Sequence, residues 1–167
     1  SSNKNLERMI EAGCQIVSNF PKTKLFINDH WQLAIKYKSF GVHLGQEDIS
    51  RADVKRIFDH GLHLGVSTHS YWEICKALRY GPSYIALGPI FPTRAKKMPW
   101  KNQGIKNLTY WTRTLNYPLI AIGGLNSSNI NEVSKTGCNG ISVIDSIKNT
   151  RNPAKSLREL IEFWNKK

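Results

Sequence analysis

Short apolar runs alternate with amphipathic stretches along most of this chain. The apolar runs predict six β-strands, near Leu25–Asn28, Val42–Gly45, His63–Ser67, Tyr84–Gly88, Leu119–Gly123 and Gly140–Ile144. They lack polar alternation, which is typical of parallel strands covered on both faces. Apolar residues at helical spacing predict helices between and after the strands, at Trp31–Lys38, Ile49–Asp59, Ser70–Arg79, Ile105–Leu115, Ser127–Thr136 and Pro153–Trp164.

This repeated strand–helix unit predicts an α/β fold, a (β/α)8 TIM barrel that forms a single domain over residues 1–167. Only six units are clear, so we expect the first strand and the second strand region to be absent from the chain. Leu6–Gly13 predicts one helix, and Gln15–Phe20 resembles the tail of another. We therefore expect a break near Cys14 and Gln15, and omitted residues before Ser1.

The composition is that of a globular protein, with 40% hydrophobic residues and a net charge of +12. No apolar run approaches the ~20 residues of a membrane span, which predicts a cytoplasmic protein with no membrane partner. The three cysteines have no metal-binding or redox spacing. The cations are scattered, so we expect no nucleic-acid partner, and clusters such as Arg94–Lys97 favour a small phosphorylated ligand.

Carboxylates follow two consecutive predicted strands. Because active sites of (β/α) barrels lie at the carboxyl ends of the strands, we expect Asp29 and Asp48 to approach one another. Mg²⁺ is commonly held by one or two carboxylates together with substrate phosphate. The alternative is that each aspartate caps the helix that follows it.

Phosphate-binding groups follow later strands. The loop after Tyr84–Gly88 contains Thr93 and Lys96, a hydroxyl and an ammonium group suited to phosphate. Gly123 and Gly124 would permit close backbone approach, although an ordinary turn explains them equally well.

Three histidines and one tryptophan have open roles. His43 and His63 lie within strands and are interpreted as satisfied barrel or interface residues. His69 follows a strand, where it could bind a substrate or cap the next helix. Trp100 is interpreted as a loop anchor, or as a cover for a flat heterocycle.

Several strand-end strings together resemble the thiamine-phosphate synthase family: Phe26-Ile-Asn-Asp-His-Trp31, Gly41-Val-His-Leu-Gly-Gln-Glu-Asp48, Gly65-Val-Ser-Thr-His-Ser70, Tyr84-Ile-Ala-Leu-Gly-Pro-Ile-Phe-Pro-Thr93 and Ala121-Ile-Gly-Gly124. The resemblance implies a Mg²⁺-dependent transferase. It would couple 4-amino-2-methyl-5-pyrimidinylmethyl diphosphate with a thiazole phosphate, giving thiamine phosphate and diphosphate. The family's reaction passes through a pyrimidinylmethyl cation, and a homo-oligomer is possible.

The resemblance also implies roles for individual residues. Asn28 and Lys96 would contact the pyrimidine diphosphate, and Ser67 would lie beside its leaving group, so that Ser67 and Lys96 are the expected catalytic residues. Asp29 and Asp48 would hold Mg²⁺. The thiazole phosphate would contact Thr93, Gly124 and Ile144.

Three departures from the family pattern favour alternative functions. Ala95 replaces a hydroxyl-bearing residue, Asp145 replaces a serine, and the diphosphate-binding residues of the second strand are missing. One alternative is the related thiazole tautomerase, with His69 as acid–base residue. Another is a homologue that binds phosphorylated ligands without turnover.

Overall fold

Strands and helices alternate along the chain, as the sequence pattern predicts. The structure, a computed structural model, describes residues 2–93 and 100–165. The strands are β1 (Phe26–Asn28), β2 (Gly41–Leu44), β3 (His63–Thr68), β4 (Tyr84–Leu87), β5 (Leu119–Ile122) and β6 (Gly140–Ser142). The helices are α1 (Ser2–Ser18), α2 (Trp31–Lys36), α3 (Gln46–Ile49), α4 (Val54–Asp59), α5 (Tyr71–Leu78), α6 (Gly104–Thr114), α7 (Ile130–Ser134), α8 (Asp145–Lys148) and α9 (Pro153–Asn165).

The described residues form two compact units. The amino-terminal unit contains the residues up to Ser67 together with Lys76–Ser83, and the carboxy-terminal unit contains Thr68–Cys75 and the residues from Tyr84 onward. In the first unit, β1, β2 and β3 pair in parallel in chain order. In the second unit, β4, β5 and β6 do the same. The fold is therefore mixed α/β with six parallel strands.

The two faces of β1–β3 differ in character. Ile27, Val42 and Leu64 are in register, and their side chains share one face because neighbouring parallel strands keep their pleats aligned. That face belongs to a core with Ile10, Ala34, Leu44, Ile49, Ile57, Leu62, Val66 and Ala77. Asn28, His43 and Gly65 share the other face, and Ser67 lies on it two residues further along β3. One face thus carries the core and the other carries polar groups.

The carboxy-terminal unit has an apolar core of the same kind. Its buried side chains come from the strands β4 and β5 and from the helices of this unit, and they include Ile74, Ile85, Leu87, Leu108, Leu119, Ala121, Ile130, Val133 and Leu160.

The expected break near Cys14 and Gln15 is wrong. A single helix, α1, runs from Ser2 to Ser18 through these positions. Leu6, Ile10 and Cys14 recur at spacings of one helical turn and all pack on the core of the amino-terminal unit. The apolar stripe is therefore continuous, and it belongs to one helix rather than to pieces of two.

The helix predicted at Ile49–Asp59 is divided into α3 and α4. The Asp53 carboxylate accepts a hydrogen bond of 3.0 Å from the Arg56 N–H, which begins a new helix at Val54. The short helix α8 was not predicted at all. None of the helices in the described ranges is long and apolar enough to span a membrane.

Candidate active site

The first group of site residues lies at the carboxyl end of β1. Asn28 is the last residue of this strand, and Asp29 follows it with a φ of 64°. The Asn28 amide donates a hydrogen bond of 2.7 Å to Asp29 Oδ2. The Asp29 N–H donates to the His43 carbonyl at 2.9 Å, which ties this turn to β2.

Asp48 lies just beyond the carboxyl end of the neighbouring strand β2, in the first turn of α3. Its Oδ2 atom would be 3.1 Å from a Cβ placed on Gly45, so the carboxylate folds back over the strand–helix junction. The N-cap positions of α2 and α3 are held by His30 and Gly45. The interpretation of Asp29 and Asp48 as helix caps is therefore wrong.

The donor chemistry of Asp29 and Asp48 suits a hard divalent cation. Both residues are half-buried and supply carboxylate oxygens, the ligands that Mg²⁺ prefers together with water and substrate phosphate. Among residues 2–93 and 100–165, no group of three or more His, Cys, Asp and Glu side chains could hold a metal ion by itself. A magnesium ion bound here would therefore need other oxygen ligands as well, such as water and substrate phosphate.

Ser67 is paired with His43. The distance between His43 Nε2 and Ser67 Oγ is 2.7 Å, so the prediction that the His43 side chain is satisfied is confirmed. Burial lowers the pKa of His43 from 6.5 to about 4, because desolvation disfavours the charged ring. The ring is therefore neutral near pH 7, and its Nε2 lies within hydrogen-bond distance of the Ser67 hydroxyl.

Gln46 is a polar residue at this site that the sequence analysis missed. Its Nε2 donates to the Ser67 carbonyl at 2.8 Å, while its Oε1 is buried and has no hydrogen-bond partner within the described structure. A buried unpaired acceptor is costly, and it indicates a place for a ligand donor. Its place after β2, between Gly45 and the acidic pair Glu47 and Asp48, was the only signal in the sequence.

The second group of site residues belongs to the carboxy-terminal unit. The Phe91 N–H donates to the Gly123 carbonyl at 3.1 Å. Gly124 has a φ of +71°, and a Cβ there would lie 2.6 Å from the Pro92 carbonyl oxygen. Gly124 thus lies in close contact with the segment that precedes Thr93, whereas the approach of a phosphate to the Gly-Gly pair stays a prediction.

The end of β6 completes this group. Ile144 is 60% exposed immediately before α8, and Ser146 Oγ donates to the Leu125 carbonyl at 2.5 Å. Asp145 Oδ1 accepts a hydrogen bond of 3.2 Å from Asn149, so its carboxylate lies along α8. The predicted catalytic residue Lys96 lies outside the described residues.

His69 follows β3 and is held by an acidic partner. Its Nδ1 lies 2.8 Å from Glu73 Oε2, which also accepts the His69 backbone N–H at 2.7 Å. The Gln103 amide donates to the His69 carbonyl at 2.7 Å, and the Trp100 ring is nearly parallel to the imidazole at 6.1 Å. Trp100 therefore stacks on a candidate acid–base residue. At the start of α5, Ser70 Oγ accepts a hydrogen bond of 3.3 Å from the Glu73 N–H.

These features describe an α/β protein whose strand ends carry two carboxylates, a serine hydroxyl beside a histidine, and a tight Gly-Gly turn. Comparisons with known proteins agree. A family model described as thiamine monophosphate synthase matches residues 1–147. The thiamine-phosphate synthase of Enterobacter sp. (strain 638) is 45% identical over 141 residues, 84% of this chain and 67% of that protein. The corresponding enzyme of Proteus mirabilis is also 45% identical over 141 residues, 84% of this chain and 66% of its own length.

Solved structures of other proteins also superpose on this chain. A thiamine phosphate pyrophosphorylase from Pyrococcus furiosus superposes with a TM-score of 0.84 at 27% identity, over 97% of this chain and 77% of that one. A 3-hexulose-6-phosphate synthase from Salmonella typhimurium shares the fold, with a TM-score of 0.69 at 13% identity over 93% and 80% of the two chains. The chain belongs to the thiamine monophosphate synthase family, a family of transferases in thiamine biosynthesis. It spans about two thirds of the length of its curated relatives.

Proposed function

We propose that this chain is a Mg²⁺-dependent thiamine-phosphate synthase that joins 4-amino-2-methyl-5-pyrimidinylmethyl diphosphate to a thiazole phosphate. The observation that carries the proposal is the polar group at the carboxyl ends of β1–β3. Asp29, Asp48 and the His43–Ser67 pair lie there within one unit, together with an unpaired acceptor on Gln46.

The proposed reaction exchanges one bond for another. The C–O bond between the pyrimidinylmethyl carbon and the diphosphate breaks, and the diphosphate leaves with the electron pair. The thiazole nitrogen then donates its lone pair to the cationic carbon and forms the new C–N bond. Holding both rings in place makes this capture effectively intramolecular.

The protein groups would position and stabilise the diphosphate. Ser67, oriented by His43, would donate its hydroxyl proton in a hydrogen bond to the departing oxygen. Asn28 and Lys96 would contact the same substrate. Asp29 and Asp48 would hold Mg²⁺, which when bound would neutralise the developing charge.

The thiazole phosphate would bind in the carboxy-terminal unit. Thr93 would offer a hydroxyl, while Gly124 and Ile144 would offer backbone groups at the ends of β5 and β6. The hydrogen bond from Asn149 would hold the Asp145 carboxylate along α8 and turn it away from the phosphate.

The fold that we propose for the whole chain rests on the same family membership. We infer that the six parallel strands belong to a (β/α)8 barrel and that residues 1–167 form a single domain, which the TM-score of 0.84 to the Pyrococcus furiosus enzyme supports. A cytoplasmic location, a possible homo-oligomer and the lack of a nucleic-acid partner are part of this proposal.

The test is product formation from both substrates with Mg²⁺. We expect thiamine phosphate and diphosphate from the wild-type chain, and a loss of about 100-fold or more in Asp29→Asn and Asp48→Asn. Asp59→Asn is the matched control, because Asp59 is exposed and forms its ion pair with Lys55, away from the carboxyl ends of the strands. Mn²⁺ binding in the presence of diphosphate, followed by electron paramagnetic resonance, provides a second readout. A folded protein that binds the diphosphate with metal but forms no product would instead be a non-catalytic binder.

The His69–Glu73 pair favours thiazole tautomerase as a second candidate function. A carboxylate that accepts the Nδ1 proton leaves Nε2 of His69 as the base, which is suited to moving a proton on a thiazole. Isomerisation of a thiazole carboxylate alone, retained in Asp29→Asn and lost in His69→Gln, would support it. Coupling activity without any isomerisation would reject it.

A further inference from the structure

Two cavities adjoin at the amino-terminal ends of β1, β2 and β3, opposite to the strand ends that carry Asp29 and Ser67. Their volumes are about 290 and 430 Å³, in the range of small-molecule sites, and they share the wall formed by Lys38, Ser39 and Phe40. We call them together the amino-end cavity. All of its lining residues belong to the amino-terminal unit.

The lining is basic and partly aromatic. Lys24 and Lys38 contribute ammonium groups, His60 and His63 contribute imidazoles, and no lining residue in the described chain is acidic. Neither lysine has a carboxylate within ion-pair distance among the described residues. Within residues 2–93 and 100–165, the two lysine charges of the cavity are therefore not neutralised by an ion pair.

Phe40 organises this lining. Its ring stacks on the His63 imidazole, with centroids 4.2 Å apart and planes 18° apart, and Lys24 Nζ lies 5.0 Å from the Phe40 centroid. Lys24 Nζ also donates to the Pro21 carbonyl at 3.0 Å. Cationic groups are thus held beside an aromatic wall, an arrangement that fits an anion carrying a planar ring.

Lys38 occupies a backbone position that would suit glycine. It follows the C-cap of α2 with a φ of 50°, and the Ser39 N–H donates to the Ala34 carbonyl at 3.0 Å, as at many helix ends. The end of α4 makes the equivalent bond from Leu62 N–H to the Ile57 carbonyl at 3.2 Å, but there the left-handed residue is Gly61. A side chain in this conformation is strained, so the chain carries a lysine at a position where glycine would be more stable.

From this geometry we propose that the amino-end cavity is a second ligand site, for a small phosphate ester with an aromatic ring. Lys24 and Lys38 bind the phosphate through charge-assisted hydrogen bonds. His63 stacks on one face of Phe40, so Lys24 turns from the Phe40 ring toward the phosphate, and the ligand ring contacts the face that Lys24 leaves. The backbone of Lys38 is strained, and this position places an ammonium group at the shared wall. The site is independent of the coupling reaction.

Phenyl phosphate is the probe, with inorganic phosphate and phenol as controls for the two halves of the ligand. Saturable binding to the full chain is expected, followed by amide chemical shifts in a nuclear magnetic resonance titration. The shifts should concentrate on Ser39, Phe40 and Gly61, and each half-ligand alone should bind at least about tenfold more weakly.

Lys38→Gly is the decisive variant, because it removes the cation and relieves the strain together. We expect its melting temperature to rise and its affinity for phenyl phosphate to fall about tenfold. Lys24→Met should lose affinity similarly, whereas Lys22→Met, at an exposed lysine outside the lining, should not. Unchanged affinity in Lys38→Gly and Lys24→Met, shifts confined to Gly123 and Gly124, or no saturable binding would overturn the proposal.

Discussion

His43 and Ser67 form a hydrogen-bonded pair across the neighbouring strands β2 and β3, with 2.7 Å between Nε2 and Oγ. On the β3 side, His43 is in register with Gly65, which has no side chain, so the His43 ring can reach along β3 to Ser67. The hydroxyl that the proposed reaction needs is therefore oriented by a residue of the adjacent strand rather than by its own loop.

Ser67→Ala should lower kcat for the coupling reaction about 100-fold while leaving the protein folded. The reason is that a hydroxyl aimed at the departing oxygen stabilises the transition state more than the bound substrate. Steady-state kinetics with both substrates measure the effect, and Ser67→Thr, which keeps the hydroxyl, should retain more activity. An unchanged kcat in Ser67→Ala would remove Ser67 from the mechanism.

The free energy of unfolding should fall as the pH decreases from about 6.5 to about 4. In this range the unfolded chain binds a proton at His43, whereas the native chain, in which burial lowers the pKa from 6.5 to about 4, does not. The stabilisation is present above pH 6.5, and its loss by pH 4 is on the order of 3 kcal/mol. Urea unfolding at pH 7.5 and 4.5 measures it.

His43→Gln serves as the control for this pH dependence, because glutamine does not titrate. The difference in free energy of unfolding between the wild type and His43→Gln should shrink between pH 7.5 and pH 4.5 by most of the 3 kcal/mol, on the order of 2 to 3 kcal/mol. Parallel pH profiles for the two proteins would show that His43 titrates normally in the native state.

Gln46→Met should raise KM for the pyrimidine diphosphate about tenfold with little change in stability. The substitution removes a hydrogen bond to the Ser67 carbonyl, worth about 1 kcal/mol, but it also removes the buried unpaired Oε1. The substrate's amino group is the donor we expect for Oε1. Gln103→Met is the matched control, since Gln103 also donates to a backbone carbonyl, that of His69, at 2.7 Å. A large loss of stability with an unchanged KM would mean that Gln46 only supports the fold.

The sequence predicts the strands of this fold well because each places apolar residues in a short segment between turns. Every predicted strand exists, with bounds shifted by one or two residues. The helices are harder, because their ends depend on single hydrogen bonds. The Asp53 cap divides Ile49–Asp59, and nothing in the letters distinguishes Asp53 from the neighbouring aspartates.

The candidate site is likewise only partly predictable from the sequence. Strand-end positions such as Asp29 and Asp48 can be read from spacing, since parallel strands present their carboxyl ends together. The His43–Ser67 contact needs the register of β2 on β3, and the unpaired Gln46 Oε1 needs the packing around it. Both are properties of the folded chain that periodicity does not contain.

Gly124→Ala should destabilise the protein more than an ordinary glycine substitution and should impair thiazole phosphate binding. Gly124 has a φ of +71°, and an added Cβ would lie 2.6 Å from the Pro92 oxygen and 2.7 Å from the Phe91 oxygen. Backbone atoms cannot move aside as side chains do, so the segment before Thr93 must shift. We expect a loss of about 3 kcal/mol or more in urea unfolding and a raised KM for thiazole phosphate.

Gly81→Ala separates the two causes of this loss. Gly81 has a φ of +62°, but a Cβ there meets no atom within 4 Å in the described structure. Its substitution should therefore cost only the backbone strain, about 1–2 kcal/mol, and leave both KM values unchanged. Equal losses of stability in the two variants would mean that the turn at Gly124 accommodates a methyl group, and that contact with Phe91 and Pro92 does not position the segment leading to Thr93.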